Sequence, residues 1–215
     1  MAETKHLYLM LSRTNTGIGR IIRAATRYPY NHVSLSLDPS MRRWVSFARY
    51  ARDIPFYGGF VEETAERYLA SGLRIDVRIF RLEIPEETAG KLDTLFARAG
   101  RQDRQLIYNL FDAAAAPFGG SIRIPNAYTC LSFACRVMGV KFRSIRELDR
   151  YLSPYLIYEG PLTGLVADSG SREDAYFRDL GLIRGSWNTA RNLTLLSCRA
   201  FRHGCPDLVA GYLNI

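Results

Sequence analysis

The chain has 215 residues, 47% of them hydrophobic, and a formal net charge of +8. That is enough apolar content for a real core in one domain, with length to spare for an extension. The charge favours anionic partners such as acidic lipid or cell-wall polymer; the arginines are spread along the chain rather than clustered, which argues against nucleic acid.

The first apolar run, Leu7 to Leu11, is too short for a secretory h-region and lacks a small-residue cleavage site. It reads as a strand over residues 6–12. A polar turn leads to a helix over 17–26, with Ile18, Ile21, Ile22 and Ala25 on one face and Arg20, Arg23 and Arg27 on the rest. Gly17-x-Gly19-Arg20 lacks the lysine and the length of a phosphate loop and marks the helix start. After Pro29 the chain alternates: His32, Ser34 and Ser36 point one way, Val33, Leu35 and Leu37 the other. The polar face of this strand is expected to meet a helix.

Asp38-Pro39-Ser40-Met41 is a turn, and residues 43–49 should pair back as a hairpin. Residues 50–63 hold Pro55, Gly58 and Gly59 and are expected to form a loop. Its Phe56, Tyr57 and Phe60 either shape a pocket or pin the loop to the surface. A strand is expected over 73–83, then a helix opened by Pro85 and running to about Gly100. Residues 105–116 read as another helix, stopped at 117–120.

The stretch that carries most information runs from Asn126 to Met138. Leu131, Ala134, Val137 and Met138 share a helical face, and Thr129 is placed to cap it. Cys130 then lies in the first turn, where unpaired N–H groups and the helix dipole favour thiolate over thiol. A lone cysteine there would read as core. His32 changes that reading, because the other two histidines, His6 and His203, lie beside a strand and near the C-terminus. His32 is the natural base for a Cys–His pair. A capping-box pattern, Ser144 with Glu147, starts a helix over 144–152, and Leu156 to Tyr158 is a short strand.

The motifs Tyr30-Asn31-His32-Val33-Ser34, Ser46-Phe47-Ala48-Arg49, Gly58-Gly59-Phe60-Val61-x-Glu63, Tyr128-x-Cys130-x-Ser132-Phe133 and Ile157-Tyr158-Glu159-Gly160 occur in that order. With them residues 5–160 resemble the circularly permuted branch of the NlpC/P60 superfamily of papain-like cysteine hydrolases, the YiiX-like and lecithin:retinol acyltransferase-like groups. The resemblance implies an α+β papain-like fold over residues 1–163. A central antiparallel sheet of about five or six strands should pack against the Cys130 helix. It implies a nucleophile, Cys130, and a base, His32, which precedes it in sequence as the permuted branch requires. It also implies a polar residue that orients His32. The strand where the family carries that residue offers Ser46 in place of an acid or a histidine, and Glu63 is the alternative. The backbone N–H of Cys130 would hold an oxyanion, with the Tyr128 hydroxyl as a helper.

Three functions follow as expectations. The first is a cysteine amidase or peptidase acting on a small peptide-like substrate. The second is a lipid-directed acyltransferase or thioesterase, and the third a non-enzymatic binding module. No cofactor is expected. Cys198, His203 and Cys205 lack a fourth ligand, so no metal is expected either. No stretch approaches the ~20 apolar residues of a membrane span, and a cytoplasmic location with reduced thiols is expected.

Residues 164–215 form a basic extension. A flexible hinge is expected at 169–173 and helix over 173–203, with breaks at Gly181 and Gly185. Residues 182–204 contain arginines and no acid. Trp187, Arg191, Leu195 and Arg199 stand four apart, while Leu193, Leu196 and Phe201 should seek burial. The segment is expected to cap the domain first and to meet an anionic membrane surface second.

Overall fold

The computed structural model describes residues 5–14, 17–52, 54, 56–64, 67–68, 75–101, 105–116, 120–164, 176 and 181–202. The expected hinge at 169–173, most of residues 173–180, and His203 and Cys205 lie outside the described residues.

The strands are β1 (Lys5–Ser12), β2 (His32–Ser36), β3 (Arg43–Arg49), β4 (Gly58–Thr64), β5 (Asp76–Ile84), β6 (Ile107–Tyr108), β7 (Ala127–Tyr128) and β8 (Leu156–Pro161). The helices are α1 (Gly17–Thr26), α2 (Glu86–Phe96), α3 (Leu110–Ala115), α4 (Cys130–Val137), α5 (Ile145–Leu152) and α6 (Leu182–Arg202). The eight strands form one sheet in the order β7-β6-β4-β3-β2-β1-β5-β8. The chain is α+β, as expected. The sheet is larger than expected and not wholly antiparallel, because the two short strands β6 and β7 pair in parallel.

Residues 58–63, expected in a loop, belong to β4, a full partner of β3 from Arg49 opposite Gly58 to Arg43 opposite Thr64. The glycines that suggested a turn serve close approach instead. A Cβ on Gly58 would stand 2.7 Å from the Ala48 carbonyl oxygen, and one on Gly59 would stand 2.2 Å from the Tyr50 hydroxyl. Residues 105–116, expected as one helix, divide into β6 and α3. Asn109 separates them, its side chain accepting from the Asp112 N–H as the helix cap.

Strand alternation gives the sheet two faces. On one lie Leu7, Leu9, Leu11, Val33, Leu35, Val45, Phe47 and Phe60, packed with Phe133 and Ala134 of α4 and Leu148 and Leu152 of α5. The Phe133 ring sits 5.1 Å from both Phe47 and Phe60. On the other lie Tyr8, Met10, Trp44, Val77 and Ile79, with Tyr68 packed against them. The Cys130 helix therefore packs on the apolar face of β2. The expectation that the His32, Ser34 and Ser36 face would meet this helix is corrected in part: the body of the helix buries Phe133 and Ala134 against Val33 and Leu35, because that burial needs an apolar surface, while His32 is met by Cys130 at the helix start.

Helix α6 lies against a third, smaller cluster in which Leu196 meets Ile107, Ile124 and Ala127. Gly181 (φ 68°) precedes it. Gly185 does not break it. A Cβ there would come within 2.4 Å of the Ile54 side chain, so the glycine serves packing. No helix among the described residues is long and apolar enough to cross a membrane.

Candidate active site

His32 is the first residue of β2 and is 8% exposed. Across the ladder its partner in β1 is Ser12. Its neighbour in the chain, Asn31, clamps the turn after β1: the amide donates to Thr14 Oγ1 at 2.6 Å and accepts from the Thr14 N–H at 3.0 Å. Arg23 of α1 donates to the same Asn31 oxygen at 3.1 Å. The polar residues that introduce the strand thus fix where the imidazole begins.

The imidazole Nε2 lies 2.9 Å from Glu63 Oε2 and 3.1 Å from Oε1, and 3.2 Å from Ser46 Oγ. Both sequence candidates for the orienting residue therefore reach the same nitrogen, with the carboxylate nearer. Glu63 is itself held. Ser34 Oγ donates to its Oε2 at 2.6 Å and the Tyr68 hydroxyl at 2.7 Å, while Arg67 Nε stands 3.8 Å from Oε1. Ser34, Ser46 and Glu63 are all buried. A buried carboxylate needs such donors to stay charged.

Burial works against an imidazolium at His32, but the Glu63 carboxylate and Cys130 outweigh it and push the pKa up to about 10. Burial likewise opposes the Glu63 charge. The His32 imidazolium, Arg67 and the Ser34 hydroxyl overcome it and hold the carboxyl well below the usual range. Tyr68, buried beside that carboxylate, is pushed far above the ordinary phenol.

Cys130 opens α4. Thr129 caps the helix with its hydroxyl accepting from the Ser132 N–H at 3.2 Å, and Ser132 Oγ accepts from the Thr129 N–H at 2.8 Å, which closes a capping box. Asp112 and Asn109 steady the approach. The Thr129 hydroxyl donates to Asp112 Oδ2 at 3.3 Å, the Ile122 N–H donates to Asp112 Oδ1 at 2.9 Å, and Asn109 Nδ2 donates to the Ile122 carbonyl at 2.7 Å. The thiol is half-buried, and both its charge and a side-chain hydrogen bond raise the pKa of His32.

Alternation alone would leave Cys130 and His32 on opposite faces of the sheet. Strands β2 and β3 pair at Leu35 and Val45. His32 pairs with Ser12 of β1 but not with a residue of β3, and Cys130 at the start of α4 bears on its imidazole.

Tyr128 lies half-buried, its ring 5.3 Å from Phe47 and 6.3 Å from Phe133. Among the described residues no hydrogen bond joins its hydroxyl to Cys130 or His32. Burial raises its pKa, against a smaller opposing effect from Arg136. Tyr108 of β6, which periodicity could not single out in a two-residue strand, stands near the thiol. Burial raises its pKa first, then the charges of Cys130 and Asp112. Tyr68, Ser34, Asp112 and Tyr108 are the site neighbours that sequence reasoning missed. The nearest available signal was Ser34, one strand step from His32.

A cleft of about 520 Å³ lies elsewhere, lined by Tyr28, Tyr30, Arg78, Arg146, Asp149 and Glu159 among others, and by neither Cys130 nor His32. No cluster of potential metal ligands occurs among the described residues. No family model, curated protein or solved structure matches this chain.

Proposed function

We propose that the protein is a cysteine hydrolase of the amidase or peptidase type, with Cys130 as nucleophile, His32 as acid and base, and Glu63 as the residue that orients His32. The observation that carries this reading is one imidazole engaged by Glu63 at Nε2 while Cys130 bears on the same ring. Buried core histidines do not need both a carboxylate and a thiol in the first turn of a helix. The resemblance to permuted NlpC/P60 hydrolases supports the same assignment, and a papain-like arrangement of the sheet and α4 belongs to this proposal.

The chemistry runs in two halves. Cys130 gives its proton to His32, and the sulfur attacks a substrate carbonyl carbon. A C–S bond forms and the carbonyl electrons move to oxygen, which the Cys130 N–H receives. Collapse breaks the bond to the leaving group, which takes the proton from His32 and departs. Water then attacks the thioester while His32 removes its proton. The C–S bond breaks, the acid leaves and the thiol is restored. Glu63 stabilises the imidazolium in both halves without taking its proton.

Trapping tests the proposal. The protein is incubated with a lysate, denatured in acid and mapped by mass spectrometry. An acyl adduct on Cys130 that is absent from the His32→Ala variant supports it. An aminoacyl or peptidyl mass fits the amidase reading and a fatty-acyl mass the thioesterase reading. No adduct, together with Cys130 alkylation no faster than that of a free thiol near neutral pH, sinks the enzyme and leaves a binding module.

A further inference from the structure

Helix α6 has an inner and an outer side, and packing fixes which is which. Leu196 is 1% exposed in its cluster with Ile107, Ile124 and Ala127. Asn192 Nδ2 donates to the Gly58 carbonyl at 3.1 Å. Arg199 Nη1 donates to the carbonyls of Gln105 and Asn126 at 3.0 and 3.2 Å. The stripe expected from four-residue spacing is therefore divided: Arg199 serves packing, while Trp187 is 71% exposed. Phe201, expected to be buried, is 90% exposed. Turning either aromatic inward would pull Leu196 out of its cluster.

Trp187 and Phe201 are nearly four helical turns apart, so they share the outer face with roughly 21 Å between them. Exposed Thr194 and Cys198 lie between, and exposed Arg184 and Arg202 flank the same face. The helix carries four arginines and no acid. Two large apolar side chains held in water at the ends of a purely basic helix are the pattern of interfacial anchors beside headgroup-binding charges.

We infer that the outer face of α6 docks on an anionic phospholipid bilayer, with Trp187 and Phe201 entering the interface and Arg184 and Arg202 facing the headgroups. A second copy of the chain fits poorly, because a two-fold contact sets this acid-free face against itself. A nucleic-acid strand would stack bases on neighbouring aromatics, whereas these two are separated by most of the helix. The inner contacts carry the consequence inward. Gly58 opens the strand that carries Glu63, and Asn126 precedes the strand that leads to Cys130. A docked α6 therefore holds that side of the sheet beside the membrane, whatever reaction Cys130 performs.

The test uses the full chain with vesicles of phosphatidylcholine alone and of phosphatidylcholine with phosphatidylserine. Co-sedimentation and tryptophan emission are read together. Trp44 is 1% exposed and gives a constant background, so a blue shift reports Trp187. Binding is expected with anionic vesicles, weakening with salt, and not with neutral ones. W187S/F201S, with both sites on the surface, should keep its circular dichroism and lose co-sedimentation with the anionic vesicles, and F201S alone should reduce the Trp187 shift. R184Q/R202Q should weaken binding by roughly tenfold or more. Equal binding to both vesicle types, or no change in either variant, overturns the inference. So does an outcome in which W187S/F201S abolishes oligonucleotide binding or self-association while anionic vesicles leave Trp187 emission unmoved.

Discussion

His32 and Glu63 meet at 2.9 Å although their strands are not neighbours. Strand β3 runs between β2 and β4, and Ser46 is the β3 residue beneath the pair. Two side chains can close over an intervening strand only where that strand offers a small residue. Ser46 is therefore as much a gap as a hydrogen-bond partner.

Replacing Ser46 separates the two roles. Ser46→Ala removes one contact and leaves the 2.9 Å pair, so a loss of about 1 kcal/mol in stability is expected, with activity within a few-fold. Ser46→Leu fills the gap and should separate His32 from Glu63, lowering turnover by roughly 10²-fold or more. Denaturant unfolding and kinetics on both variants check this. A silent Ser46→Leu would mean that the pair does not need the space.

The pair also sets a pH signature for stability. The folded pKa of His32 is raised from 6.5 to about 10, so its contribution is complete below pH 6.5 and is lost as pH rises towards 10. Glu63 is depressed from 4.5, so its contribution is present above 4.5 and is lost as pH falls. Stability from the pair is therefore greatest between about pH 4.5 and 6.5. In Glu63→Gln both slopes should flatten. Thermal unfolding across pH reads the difference, and parallel curves for the two proteins would show that the charges are not coupled.

Much of this was legible in the sequence, for identifiable reasons. The α1 bounds, β2, the Thr129 cap and Cys130 in the first turn follow from local patterns. Strand β4 was not legible, because Gly58 and Gly59 carry the same letters whether they turn the chain or admit Ala48 and Tyr50 closely. The choice between Ser46 and Glu63 was open because it depends on a contact across two ladders, which no spacing reports. The face on which α4 packs was misjudged for a related reason. Alternation shows that His32 and Val33 point apart but not which of them the helix covers, and the meeting of His32 with Cys130 is a tertiary contact that no spacing reports.

Cys130 and His32 should behave as a unit. Cys130→Ser and His32→Ala are each expected to abolish turnover with the fold intact, and the double variant to be no worse than either. Cys135 is a buried residue of α4, and burial raises its pKa. Cys135→Ser should leave the chemistry unchanged. Because Cys198 is exposed, alkylation must be read by peptide mapping rather than by total thiol. Additive losses in the double variant would separate the two residues into different roles.

The last prediction concerns what holds α5 on the sheet. Asp149 is 5% exposed and receives Arg78 Nη1 on both carboxylate oxygens, at 2.8 and 2.7 Å, with the Tyr28 hydroxyl donating to Oδ2. Burial opposes the Arg78 charge, but Asp149 and Glu159 more than restore it and raise its pKa. Burial first, then the bond to Asp149, also raises that of Tyr28. Removing the carboxylate leaves a mostly buried guanidinium whose remaining acidic partner among the described residues is the exposed Glu159, 3.3 Å from Nε. Asp149→Ala should therefore cost about 3 kcal/mol. Arg78→Met/Asp149→Leu, which removes both charges and keeps the bulk, should recover most of the loss. Tyr28 links this cluster to the segment that leads into His32, so Asp149→Ala should also slow Cys130 alkylation while the double variant restores it. A double variant as unstable as the single one would show that the cluster contributes through its charges and not through packing.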